Sequence, residues 1–425
     1  MNQNRSSSAK ALFTATIGLA FGVTAVSVAS FGSFILPLSR AFGWPRGDVS
    51  MAMVVANACN IVAFPIVGSL VDKYGLRKVL LPSIVLFGLA LASLALMTGP
   101  IWQLYLGYAL LAIGGSGTST VTYTRLIVSW FTARRGMALG LALAGMGISV
   151  GLLPLLVQTI TAAAGWRVAY LALGLLVIVG VLPHALPWAR YPQDSLSKAS
   201  AVPTPTVVAE PSGMTFRDAV RSKTFILMIA SFSLVGILTG AIPTHLVPLL
   251  FEKGVPAMKA AALASSLGIS LILGRLVMGY LIDRVFAPHL MIGVILIALV
   301  GLGMMLSGGS AVWLVVSISC MGFTVGADVD CLSYLISRYI GLRAYTRVYG
   351  ILLSAFTLGV GIGPGLMGYS FNVSGGYDLA LRMLIGATGL AIVPFLFFGR
   401  YPDEAPPVGG PEQPKEPGHQ ALLHR

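Results

Sequence analysis

The sequence predicts an all-α membrane protein of twelve transmembrane helices arranged as two six-helix bundles. Three observations carry that expectation. Of 425 residues, 56% are hydrophobic and only 10% are charged, with a mean hydropathy of +0.88. A soluble fold of this length would need far more charge to wet its surface. Long apolar runs separated by short polar turns fill the chain, and two short motifs recur at one separation.

The predicted spans are 11–39, 48–71, 77–98, 101–131, 136–163, 167–189, 223–252, 257–283, 288–308, 310–337, 347–372 and 378–399. Most are long enough to cross roughly 30 Å of hydrocarbon at about 1.5 Å per residue. Within the first, Ser27-Val28-Ala29-Ser30 loosely resembles a signal-cleavage site. The run stays apolar beyond it, so a retained span is expected.

Charge placement sets the topology. With the N-terminus inside, 19 of the 27 Lys and Arg residues fall in cytoplasmic segments, six fall outside, and Arg125 and Arg275 lie within spans. That asymmetry follows the positive-inside rule and places both termini in the cytoplasm of an inner (plasma) membrane protein. The net charge of +13 is thereby topological and implies no nucleic-acid partner. Cys59, Cys320 and Cys331 sit in apolar runs without metal-ligand spacing, so no metal, cofactor or disulfide is expected.

Residues 190–222 are rich in Pro, Ser, Ala and Thr and read as a cytoplasmic linker, with a short surface helix over 214–223. The tail 401–425 reads as disordered. The bundles then occupy 1–189 and 223–400. They look duplicated: Gly68-Ser69-Leu70-Val71-Asp72-Lys73 returns 211 residues later as Gly279-Tyr280-Leu281-Ile282-Asp283-Arg284. Gly140, Gly151 and Pro154 return 210 residues later as Gly350, Gly361 and Pro364. Such repeats are the architecture of many transporters.

The stretch from Gly68 to Lys78, with Asp72, Gly75, Arg77 and Lys78, resembles the loop 2–3 signature of the major facilitator superfamily. Trp130-Phe131-Thr132-Ala133-Arg134-Arg135-Gly136, followed by Gly140 and Ala144-Gly145, is similar to the span 4–5 signature of the monocarboxylate transporter family and its bacterial oxalate/formate-antiporter-like relatives. Phe42-Gly43-Trp44 with Val49-Ser50 fits the same group. The resemblance covers all but the linker and tail. It implies two bundles rocking around a central site, usually with proton symport or anion exchange.

The loop signature suggests a gate. Asp72 can cap a helix N-terminus or meet a base, Gly75 permits a tight turn, and Arg77 and Lys78 are expected to hold the bundles together on the cytoplasmic side. Arg134, Arg135 and Asp283 complete the gating set. The second copy lacks the trailing Gly and basic pair, so its gate is expected to be weaker.

Ionisable groups inside spans are costly and point to a cavity or a partner. Arg275, in Gly274-Arg275-Leu276, offers a planar fork to a carboxylate. By the resemblance it occupies the position of the arginine that receives the substrate carboxylate; the alternative is a permanent ion pair with Asp328 or Asp330. Many animal members carry an acid one turn earlier and a lysine in span 1, where this chain has Leu271 and Ala29. Asp328 and Asp330 are the acids of span 10 and point about 200° apart on a helix. Asp330 shares its face with Ser333, Tyr334 and Ser337, and is the candidate proton carrier, with Asp328 and His245 as further proton-coupling candidates. Arg125 either binds a second carboxylate or snorkels to headgroups. Tyr123, Tyr334 and Asn57 join Arg275 and Arg125 as candidate substrate contacts; for Asn57 and Asn60, helix–helix hydrogen bonding is the competing reading, and for His245 a structural hydrogen bond.

No phosphate-binding loop exists for an ATP-driven pump, and no nucleophile triad or metal set assembles for an enzyme. The expected function is a monomeric secondary transporter for a small organic anion, a monocarboxylate, with proton symport. The alternative is an antiporter or an efflux carrier for other solutes, dicarboxylates and drugs included.

Overall fold

The fold is that of a computed structural model, which describes residues 2–132, 134–192 and 213–402. Among the described residues, nine helices are long and apolar enough to cross a membrane. One of them, Arg135–Trp188, is two spans, because Gly165 leaves helical geometry at φ 85°, ψ 164°. The chain doubles back there: Gly145 packs on Thr16 while His184 meets the ring of Phe13, three residues away. The interrupted helix 102–130 and Ala257–Leu281 bring the total to twelve.

In chain order these are α1 (Ser6–Phe42), α2 (Arg46–Tyr74), α3 (Leu76–Leu96), α4 (102–130), α5 (135–164), α6 (166–188), α7 (Lys223–Glu252), α8 (Ala257–Leu281), α9 (Ala287–Ser307), α10 (Ala311–Tyr339), α11 (Tyr345–Ser374) and α12 (Asp378–Leu396). Glycines in positive φ end α1 (Gly43) and α11 (Gly375), where a Cβ would be strained. Ser222 and Ser310 cap α7 and α10 through their hydroxyls.

The two six-helix bundles, α1–α6 and α7–α12, meet along α2 with α11 and α5 with α8. The repeated glycines make this approach possible. A Cβ on Gly68 would strike the backbone of Thr346, and one on Gly350 the backbone of Phe64. In the second pair, a Cβ on Gly279 would lie 3.2 Å from Gly140 Cα. One buried apolar cluster runs through this junction, from the first bundle into Met278, Ile282, Tyr345 and Tyr349. A second cluster, built on Leu238, Leu246, Leu302 and Leu381, stays within the far half of the second bundle. The core is therefore continuous across one end only. At the other end a cavity of about 730 Å³ opens beside α1 and α5, lined by Leu36, Arg40 and Gln158. The outward faces of both bundles expose large apolar side chains such as Leu155 and Leu175, as a lipid-facing surface requires.

Two helices break at mid-length. α1 opens at Phe21–Gly22 and α4 at Ser116–Ser119, and the breaks adjoin: Thr118 Oγ1 accepts from Val23 N at 3.0 Å, while Ser149 Oγ donates to Ala20 O. Hydroxyls thus satisfy backbone groups that lipid could not.

The expected linker and tail lie largely outside the described residues. Of the linker's described part, Gly213 bridges Gly341 and Met214 N donates to Ile340 O at 2.9 Å. The surface helix spans Phe216–Arg221, with Thr215 as its cap. Phe216 lies under Arg347, 3.6 Å from its guanidinium carbon.

Candidate functional site

At the closed end, where the core is continuous, two carboxylates each form a latch of hydrogen bonds across the junction. Asp72, in the last turn of α2, accepts from Thr346 Oγ1 and from Arg347 N at 3.0 Å, at the start of α11. Asp283, just past α8, accepts from Gly136 N at 2.8 Å and Met137 N at 3.1 Å, at the start of α5. Each carboxylate satisfies orphan N–H groups and meets the positive end of a helix in the other bundle. Arg134 takes a left-handed conformation (φ 57°, ψ 36°), the only non-glycine among the described residues to do so, and turns the chain into α5. Arg135 then donates to Ser337 Oγ at 3.1 Å on α10.

These contacts correct two expectations. Arg77 donates to Leu186 O on α6 at 2.5 Å, inside its own bundle, and Lys78 is exposed. Gly75 (φ 87°, ψ 155°) turns the chain from α2 into α3, and among the described residues no hydrogen bond or ion pair joins either base to the second bundle. The second latch, which lacks that basic pair, is not weaker in its contacts: Asp283 makes two hydrogen bonds across the junction, as Asp72 does.

Deeper in, Arg275 is 6% exposed on α8. Its Nη1 donates to Leu143 O on α5 at 2.5 Å and approaches Met146 Sδ at 3.6 Å, while its Nε is buried without a hydrogen-bond partner among the described residues. Asp328 and Asp330 on α10 lie within electrostatic range. Neither forms an ion pair with Arg275; among the described residues the pair Lys253–Asp378, at 3.2 Å, is the one present. The permanent ion pair weighed for Arg275 is therefore absent. The reason is geometric, since Arg275 reaches across the junction to a backbone carbonyl rather than toward α10.

The two aspartates differ. Asp328 Oδ2 accepts from Thr239 Oγ1 on α7 at 2.7 Å. Both oxygens of Asp330 are buried and unpartnered among the described residues. Below Asp330 on the same face, Ser333 Oγ lies 3.1 Å from Tyr349 Oη, Tyr334 is buried, and Ser337 accepts from Arg135. A polar stripe thus joins the unpartnered carboxyl to the closed end.

The remaining candidates scatter. Arg125 lies near Tyr345 and Tyr191 rather than beside Arg275, with Asp72 in electrostatic range. Tyr123 is fully buried with its ring against Gly18 on α1, and its hydroxyl has no partner among the described residues. Asn57 is half-buried on α2, and Asn60 Oδ1 is buried and unpartnered among those residues. His245 Nδ1 lies 3.2 Å from Tyr377 Oη near the start of α12, apart from both latches.

Sequence reasoning missed the paired breaks of α1 and α4. There Ser119 Oγ and Thr122 Oγ1, like the Tyr123 hydroxyl, are buried and unpartnered among the described residues. The signal was present in Gly114-Gly115-Ser116-Gly117-Thr118-Ser119-Thr120, a helix-breaking polar run inside an apolar span.

The sequence matches the family model of the Major Facilitator Superfamily over residues 17–352 and 290–425. It is 30% identical to Monocarboxylate transporter 13 of Bos taurus, over 91% of this chain and 89% of that one. It is 24% identical to Monocarboxylate transporter 11 of Mus musculus, over 90% and 84%, and 24% identical to the uncharacterized MFS-type transporter YcxA of Bacillus subtilis, over 86% and 90%. The fold matches the crystal structure of the MFS transporter FucP in the outward conformation with a TM-score of 0.68 at 16% identity, covering 91% of this chain and 98% of that one.

Proposed function

The chain belongs to the Major Facilitator Superfamily, and on that premise we propose that this transporter carries a small organic monocarboxylate by alternating access with proton symport. Residues 1–189 and 223–400 act as the two moving bodies of a monomer, joined by 190–222 and trailed by 401–425. The end fastened by Asp72 and Asp283 faces the cytoplasm of an inner (plasma) membrane, with both termini there, as the distribution of Lys and Arg favours.

One observation carries the reading. Arg275 is a buried guanidinium whose only described hydrogen bonds go to a carbonyl and a thioether of the opposite bundle, with Nε left over. A carbonyl is a weak counterpart for a cation, and a carboxylate arriving from the open end would replace it with charge-assisted, bidentate hydrogen bonds. That exchange also removes a tie between α8 and α5, so binding and rocking share one side chain. Asp330, unpartnered nearby, supplies the proton-carrying group, and its charge state answers to what occupies Arg275. The monocarboxylate transporters among the relatives favour the same substrate class.

The test is uptake by reconstituted proteoliposomes of a radiolabelled panel: acetate, lactate, pyruvate, benzoate, succinate and oxalate. A monocarboxylate is expected to accumulate under an inward proton gradient and to show accelerated exchange. Accumulation by Arg275→Gln equal to wild type would overturn the assignment.

A further inference from the structure

Arg125 takes no part in the Arg275 site, yet its guanidinium is as well buried, 8% exposed. Its Nε and Nη1 have no hydrogen-bond partner among the described residues. Instead the group lies over two aromatic rings, its central carbon 5.6 Å from the Tyr191 centroid and 5.9 Å from that of Tyr345. Cation–π contacts offset part of the desolvation of a guanidinium, but Nε and Nη1 stay unused among the described residues. Asp72 is in electrostatic range but gives its oxygens to α11.

The two rings belong to different bundles. Tyr191 follows α6 and stays with Arg125; Tyr345 begins α11, the helix that must leave α2 when this end opens. Its hydroxyl is tied to Ser333 O at 3.3 Å on α10, so it departs with the second bundle. Opening therefore strips one wall from a buried, hydrogen-bond-hungry guanidinium and presents its fork to the widening path.

We infer that Arg125 is a second anion site, available only when the cytoplasmic end is open, which receives the substrate carboxylate as it leaves Arg275. The inference rests on the reading of Arg275 as the central site and of the latched end as cytoplasmic. The rival use of Arg125 is as a partner for Asp72, which is already in electrostatic range on the same bundle and is released when α11 leaves; the Asp72→Asn arm of the experiment separates the two. A planar fork that binds carboxylate in two parallel hydrogen bonds suits the first role.

The experiment uses proteoliposomes of known orientation and, radiolabelled, the panel monocarboxylate that wild-type protein accumulates most. Initial rates are taken from each face. Arg125→Gln is expected to raise the cytoplasmic-face KM about tenfold, the order expected for losing a charge-assisted hydrogen bond, with the outer-face KM unchanged. Arg125→Lys, which keeps charge without the fork, should fall between, and it decides the matter should the glutamine variant fail to fold. Wild-type KM on both faces, or an equal rise on both, overturns the proposal. So does Asp72→Asn reproducing the one-sided rise, since that assigns Arg125 to the latch. An unchanged outer-face KM in Arg275→Gln sinks the central-site reading instead, and leaves the one-sided Arg125 effect as an anion site of its own.

Discussion

Arg275 and Arg125 are each a buried arginine on a membrane helix, one in each bundle, and they are wired differently. Arg275 spans the junction and donates to the opposite bundle at Leu143 O. Arg125 meets the opposite bundle through the Tyr345 ring, and among the described residues its Nε and Nη1 have no hydrogen-bond partner. The first is engaged while this end is closed; the second becomes accessible only when it opens. Burial alone does not distinguish a substrate arginine from its neighbour. What does so is which conformation satisfies its donors.

The largest way to break that comparison is at the arginines themselves. Arg275→Gln should lower outer-face carboxylate uptake about a hundredfold, as expected for two charge-assisted hydrogen bonds, whereas Arg125→Gln should leave outer-face KM near wild type. Equal losses from that face would merge the two sites into one. Next in size is the contrast between the aspartates of α10. Asp330→Asn should abolish accumulation driven by a proton gradient while sparing carboxylate exchange, and Asp328→Asn, whose carboxyl is held by Thr239, should retain gradient-driven accumulation. Gradient-driven uptake at the wild-type level in Asp330→Asn removes it as the proton carrier.

A smaller effect compares the latches. Asp72→Asn and Asp283→Asn should each shift the population toward the open cytoplasmic end by a similar factor, about tenfold for roughly 1.4 kcal/mol of lost charge-assisted bonding. Single-cysteine accessibility at that end measures it, and a much weaker effect for Asp283 would restore the asymmetry expected from its flanking residues. The smallest effect belongs to Lys78. Exposed, and without a hydrogen bond or ion pair across the junction among the described residues, it should change transport and thermal stability by no more than about 0.5 kcal/mol on Lys78→Ala.

Much of the fold was legible because lipid imposes one rule along the whole chain: a span must be apolar for about twenty residues and satisfy its own backbone. The span at Ala257–Leu281 was found that way despite Arg275 in its interior. The site was less legible. Arg275 and Asp330 stood out as charges in costly places, and Asp72 and Asp283 as the acids of a repeated loop motif, but their partners did not. Arg77 and Lys78 resembled a gate in sequence, while three of the four hydrogen bonds that Asp72 and Asp283 make across the junction come from backbone N–H groups of α5 and α11, which no side-chain pattern announces. The α4 break escaped notice because its polar run sits inside an otherwise apolar stretch, and hydropathy averages over it.

The sequence by itself determined how many helices cross the bilayer, that they come as two copies, and which polar groups must be sheltered, since transfer costs accrue residue by residue. Only the tertiary structure decided which helix ends face which carboxylates, that Arg275 reaches Leu143 rather than an aspartate, and that Arg125 is shut in by Tyr345. Those pairings depend on how two rigid bundles approach, and glycines far apart in the chain set that approach by letting backbones touch.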